Sequence, residues 1–453
     1  MDDFFMKDFI ETGMMFVFIY GIIEIMANYK FCFRSSSKGG DCPGKLYLKV
    51  VHEGLSCRET TPYEVWPGEW DAGRHCLIVP RSDGERKQQL LNYKDCMAAN
   101  LWYMEQAIVE LEKSGDYTVD DIMHRYRSIM SNSTLEIYAE KLAVSLKQEG
   151  YGRTARAYRS AVTRFVKFNG GNDILLGHIT AGAMNDFQQV MKFEGRSLNT
   201  LSFYMRTLRA IYNKAIEEGR TPQRKESPFV KVYTGIASTR KLALTHQELL
   251  LLTQFDPTIT DVMENRGKMR QTKKMPETLK QALAIFLFCF HARGMGFVDM
   301  AHLKKSDLWR DILCYQRRKT GQVIEIRILP SMRRVLDYFA PMTAGSEYLF
   351  PIITDPDKDL RLQYESGPTL QNQRLKRIAT IVGINKKLST HCARHSWAMI
   401  AKNKKLPISV ISEGLGHTNQ KKTELFLASL DQSALDRASK SVSDEIDLLR
   451  RSN

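Results

Sequence analysis

The hydrophobic pattern of this chain changes period along its length, and that change limits the fold more than any single motif does. Between residues 29 and about 80 it alternates as in strands. Leu46-Tyr-Leu-Lys-Val-Val51 is rich in strand formers, and Pro62, Pro67 and Pro80 punctuate the stretch, so a small antiparallel sheet is predicted. From Lys87 to Ser114 the apolar residues Leu90, Leu91, Cys96, Met97, Leu101, Met104, Ile108 and Leu111 recur near helical spacing, until Gly115-Asp116 ends the run. Residues 134–219 read as about four helices broken at Gly150, Gly170-Gly171 and Gly195. At 453 residues no single core holds all of this, and two or three domains are expected. The predicted class is a multidomain chain, mainly α with small β-sheets.

The polar stretch Gly235-Ile-Ala-Ser-Thr-Arg-Lys241 is a natural linker, and Thr245 with Glu248 forms a capping box at the start of a new domain. The divisions expected are an extension over 1–25, a sheet module with a linking helix over 26–125, a helical domain over 126–234, a linker over 235–243 and a last domain over 244–453. In the extension, the run Met14 to Ile23 is apolar but reaches only Glu24, whereas spanning a bilayer takes roughly 20 residues. It reads as an extension ahead of a start near Met26, not as an anchor, and no membrane partner is expected.

Lys and Arg number 66 against 51 Asp and Glu, with a pI near 9.3, which is the footprint of a polyanion binder. Apolar content of 43% excludes a disordered chain. The eight cysteines contain no Cys-x-x-Cys pair, so neither a zinc site nor a disulfide framework is expected, and no metal or cofactor is called for. Arg153, Arg156 and Arg159 on one predicted helix, and Arg206, Arg209 and Lys214 on another, interleave with Tyr and Thr as phosphate-contacting faces do; Arg240 and Lys241 of the linker extend the set.

The chemistry gathers toward the carboxyl end. His391 and Arg394 stand one helical turn apart, so both can point at one spot. Leu415-Gly-His417 brings another imidazole after a turn, and Lys319 lies in Arg317-Arg-Lys-Thr-Gly321 between two strand-like segments, Ile312–Tyr315 and Val323–Ile328. Arg293 precedes Gly-Met-Gly-Phe-Val-Asp299. Transfer of a phosphodiester needs preorganised cations around the non-bridging oxygens and an acid for the departing 5′ oxygen, which Arg, His and Lys supply.

The order Arg293, Lys319, His391, Arg394, His417 resembles that of tyrosine recombinases, including phage integrases, and Thr60-Thr-Pro-Tyr-Glu-Val-Trp-Pro-Gly-Glu-Trp70-Asp resembles the arm-binding domain of integrases from Bacteroides-type mobile elements. The resemblance implies an arm-binding-like β domain, a helical SAM-like core-binding domain, and an α+β catalytic domain. It implies Arg293 and Arg394 as a phosphate clamp, His391 and His417 as hydrogen-bond and proton-transfer groups, and Lys319 as the acid for the leaving oxygen. Asp299 buttresses the site, and His395 and Trp397 are packing residues. The family's nucleophilic tyrosine falls nine residues after the second histidine, where this chain has Phe426, and no tyrosine follows Tyr364. Replacement of the nucleophile's hydroxyl in an otherwise intact site is the favoured explanation; natural loss in a silent DNA-binding regulator is the alternative. The partners implied are double-stranded DNA with specific recombination sites, three further copies in a homotetramer, and accessory DNA-bending proteins, in a bacterial cytoplasm and at the nucleoid. Integration, excision and inversion stay open, as does a relaxing enzyme of type IB topoisomerase chemistry.

Overall fold

The computed structural model describes residues 27–37, 42–237, 242–258, 275–355 and 357–428; the extension over 1–25 and the linker cations Arg240 and Lys241 lie outside the described residues. The fold is mainly helical with small antiparallel sheets, and the chain divides into two compact units, Met1–Ala237 and Ser238–Asn453. No described helix is long and apolar enough to cross a membrane.

The first unit opens with β1 (Asn28–Arg34), β2 (Gly44–His52) and β3 (Leu55–Val65), antiparallel in that order. The β2–β3 turn has positive φ at Glu53 (48°) and Gly54 (78°), as a two-residue hairpin with right-handed strand twist requires. Alternation sends Leu46, Leu48 and Val50 inward. On the opposite face the register aligns Lys30, Lys49 and Arg58 in one row and Cys32, Tyr47 and Thr60 in the next. Two short strands, β4 (Trp70–Asp71) and β5 (Cys76–Leu77), lead into α1 (Glu85–Glu112). A second helix, α2 (Val119–Asn132), was not anticipated from the sequence; Thr118 and Asp121 form its capping box. Sheet, α1 and α2 share one core around Phe31, Leu48, Tyr103 and Tyr126. Then come α3 (Leu135–Gln148), α4 (Gly152–Phe168), α5 (Ala181–Phe193) and α6 (Leu198–Glu217), four helices separated at glycines that all have positive φ.

The far side of α1 is built into this helical bundle. Tyr103 Oη accepts from Gly177 N (3.0 Å), His178 Nε2 meets Asn100 Oδ1 (2.7 Å), Thr180 donates to Asn92 (3.0 Å), and Arg224 pairs with Asp95 (2.6 Å). A Cβ on Gly177 would stand 2.7 Å from the Ala99 Cβ, so glycine is what allows the backbone this close to α1. The expected sheet module and helical domain therefore meet along a packed, hydrogen-bonded seam within one compact unit.

The second unit has α7 (His246–Thr253), capped by Thr245 and Glu248 as predicted, then α8 (Glu277–His291) and α9 (Phe297–Ala301). Residues 282–289 of α8 are all buried; a helix apolar all round belongs at the centre of a core. A three-stranded sheet follows: β6 (Leu308–Trp309), β7 (Ile312–Gln316) and β8 (Val323–Arg327), the last two forming the predicted hairpin. Around α8 pack α10 (Pro330–Phe339), α11 (Leu360–Val382) and α12 (Thr390–Asn403). Two short helices, α13 (Ile408–Gly414) and α14 (Gln420–Ala428), complete the described part.

Candidate active site

All six residues singled out for chemistry lie in the second unit. His391 and Arg394 occupy the first turns of α12. Arg394 donates from Nη1 to the carbonyl of Gly294 (3.0 Å) and from Nη2 to the carbonyl of Leu415. It thus ties α12 to the turn after α8 and to the turn before α14. Gly294 (φ 69°) is needed there, because a Cβ would lie 2.7 Å from the Arg394 Cα. Burial, and then the charge of Arg317, push the Arg394 guanidinium down to about 10.

His417 follows Gly416, whose φ is 61°. Its Nδ1 lies 2.8 Å from Thr423 Oγ1, and that hydroxyl donates onward to Ser412 Oγ (3.0 Å). Since the threonine proton goes to Ser412, Nδ1 is the protonated nitrogen of the neutral imidazole, and Nε2 carries the lone pair. Thr423 is fully buried, so this orientation is fixed. The Phe426 ring stands edge-on to His417 (centroids 5.8 Å) and 5.4 Å from the ring of His395. His395 and Trp397 do pack here: His395 beside Phe426, and Trp397 so close to Gly414 that a Cβ there would lie 2.8 Å from the indole.

Lys319 is exposed in the turn of the β7–β8 hairpin, which Arg317 and Gly321 close by backbone hydrogen bonds. Its charge reaches His391: partial burial first, then Arg394 and Lys319, hold that imidazole below its ordinary value, although one side of the residue is open to solvent. Asp299 is buried, accepts from Arg318 N (3.0 Å) and lies 3.8 Å from Arg317 Nε. Burial raises its carboxyl, against the pull of Arg318, Arg317 and Arg394. Arg293 is half-buried in the turn after α8 with φ 56°, and makes no hydrogen bond or ion pair among the described residues.

Two groups were missed by sequence reasoning. Arg317, seen only as part of a basic turn, is buried and donates from Nη1 to the carbonyl of Gly416. Its only signal was a position at the end of a strand with the inward phase of Leu313 and Tyr315. The second is the outward face of the β1–β3 sheet, where Lys30, Lys49 and Arg58 align and the Arg58 guanidinium sits 5.2 Å above the Tyr47 ring. The alternation Lys45, Tyr47, Lys49 was the available signal.

The cations of the helical bundle are in the first unit. Arg153, Arg156, Arg206 and Lys214 are exposed, and Arg209 is half-buried on α6. Arg159 is held by Glu140 through two hydrogen bonds of 2.7 Å.

Residues 134–231 match the phage integrase SAM-like domain, and residues 269–433 match the phage integrase family. The tyrosine recombinase XerA of Pyrococcus horikoshii is 22% identical over 273 residues, covering 55% of this chain and 89% of that protein. Its counterpart in Pyrococcus furiosus is 22% identical over 267 residues, covering 54% and 88%. A lambda integrase dimer bound to a core site superposes with a TM-score of 0.49 at 15% identity, over 88% of this chain and 95% of that one.

Proposed function

Because the chain belongs to the phage integrase family of tyrosine recombinases, we propose that it binds specific sites on duplex DNA and that Phe426 occupies the position of the nucleophilic tyrosine. The observation that carries this reading is the convergence of Arg394 and His417 on the Leu415–Gly416 turn, with the Phe426 ring beside His417.

With a hydroxyl on that ring, its oxygen would attack the scissile phosphorus. The 5′ oxygen would leave as a hydroxyl with a proton from Lys319, and the 3′ phosphate would stay on the enzyme as a phosphotyrosyl ester. Attack by the 5′ hydroxyl of a partner strand reverses the step, so the bond energy is retained and no nucleotide is consumed. Arg394 neutralises charge growing on the non-bridging oxygens, His391 donates hydrogen bonds and moves protons, and Nε2 of His417 takes the proton of the attacking hydroxyl. Four copies around two duplexes make the exchange reciprocal, with the exposed cations of α4 and α6 gripping the DNA.

A second reading, a catalytically silent DNA-binding regulator, is favoured by Phe426 itself. A supercoiled plasmid with two candidate sites separates the readings. Phe426→Tyr is expected to yield recombinant circles while the parent chain only binds. Relaxation without site dependence would indicate a topoisomerase-like activity, and binding without breakage by either protein would establish the regulator.

A further inference from the structure

We infer that Arg317, and not Arg293, is the second arginine that receives the scissile phosphate beside Arg394; this deepens the recombinase reading and rests on it. The two guanidiniums hang from consecutive carbonyls, Arg394 from Leu415 and Arg317 from Gly416, immediately before His417. A glycine is required at 416, where a Cβ would lie 2.6 Å from Ile324 Cδ1 and 3.1 Å from Arg317 Cδ. The side chain of Arg317 therefore passes tightly against the turn that carries the histidine.

The charges around it do not balance. Arg317 and Arg394 both act on one buried carboxylate, Asp299, which stands 3.8 Å from Arg317 Nε and is partly engaged by the Arg318 amide. The remaining positive charge matches one phosphodiester. Preorganisation separates the two candidates: Arg317 is buried and anchored, whereas Arg293 has no such anchor among the described residues. Arg317 also belongs to the turn that presents Lys319, so one residue links the phosphate clamp to the acid.

The test uses a duplex from an end of the DNA element that carries the gene, made with either the natural scissile phosphate or an uncharged methylphosphonate there. In the Phe426→Tyr chain, Arg317→Ala is expected to slow covalent attachment ~10²–10³-fold on the phosphodiester, as loss of an oxyanion donor does, but by less than about tenfold on the methylphosphonate. Arg293→Ala is expected to change neither. The parent chain gives a readout independent of cleavage: Arg317→Ala should weaken binding to the phosphodiester duplex and leave binding to the methylphosphonate duplex unchanged. If Phe426→Tyr forms no adduct, the nucleophile reading fails, while this binding comparison still decides the role of Arg317. Equal defects on both duplexes would reduce Arg317 to a support for the turn and overturn the inference. So would a selective loss in Arg293→Ala. Should Arg317→Ala melt early, Arg317→Lys keeps the charge without the fork and is expected to fall between parent and alanine on the phosphodiester alone.

Discussion

The seam inside the first unit and the arginine cluster of the second are both rich in buried polar groups, but only one of them is balanced. In the seam, Arg224 meets Asp95 at 2.6 Å, and His178 is neutral, its imidazole pushed down to about 4 by burial and then by the charge of Arg224. Asn100 accepts from His178 on one side and donates to Tyr63 on the other (3.1 Å), so the seam's charged pair is balanced and, in that sense, its network is closed. In the cluster, two guanidiniums share one carboxylate, and a further cation, Lys319, acts on His391. A closed network holds elements together; an open one with a surplus of positive charge has room for an anion. The difference supports a structural role for the first and, on the proposed recombinase reading, a phosphate for the second.

The largest expected effect strikes the open network. Arg394→Ala in the Phe426→Tyr chain should lower the rate of covalent attachment ~10²–10³-fold or more, with little change in DNA affinity. Cleavage within tenfold of the Phe426→Tyr parent would place the phosphate elsewhere.

The closed network should respond to acid instead. His178 has a folded value near 4 against 6.5 for the free side chain. Between those values the unfolded chain binds more protons, so stability is complete above pH 6.5 and is lost as pH falls toward 4, by about 3 kcal/mol. Urea titrations at pH 7 and 4.5 should show that loss in the parent and much less of it in His178→Gln. Equal losses would mean that His178 is not held neutral.

Next in size, Gly177→Ala should destabilise the first unit by about 1–3 kcal/mol through overpacking against Ala99, and leave the second unit's transition in place. Unchanged melting would show that the seam yields easily. Smallest of all, Arg153→Ala and Arg206→Ala should each flatten the salt dependence of DNA binding by about one unit of slope. Arg159→Ala should do less, because Glu140 already holds that guanidinium.

The two regions also differ in how far they could be read from sequence. Periodicity and glycine breaks located α1, the four helices of the bundle and the β7–β8 hairpin, because each rests on local pattern. His391, Arg394 and His417 stood out by spacing, although the hydrogen bond from Arg394 to Leu415 that joins the helix to the histidine's turn did not. Arg317 was hidden because its role comes from burial against a turn 99 residues away. The seam was hidden for the same reason: Asn92, Asn100 and Tyr103 look like ordinary positions on α1, and nothing local marks Gly177 or His178 as their partners. Sequence reasoning alone would truncate the chain near residue 125 to free the helical domain. That cut removes α1 and about half of α2, and with α1 the partners of Gly177, His178 and Thr180. The truncated chain is therefore expected to melt earlier than the intact first unit.

Mapping the covalent adduct of the Phe426→Tyr chain tests the central claim most directly. After incubation with the duplex, digestion with trypsin and nuclease should leave a 3′-phosphonucleotide on the peptide Thr423–Arg437, at position 426. An adduct on any other residue, or none while the DNA stays bound, would contradict the assignment of the open cluster as a strand-cleavage site.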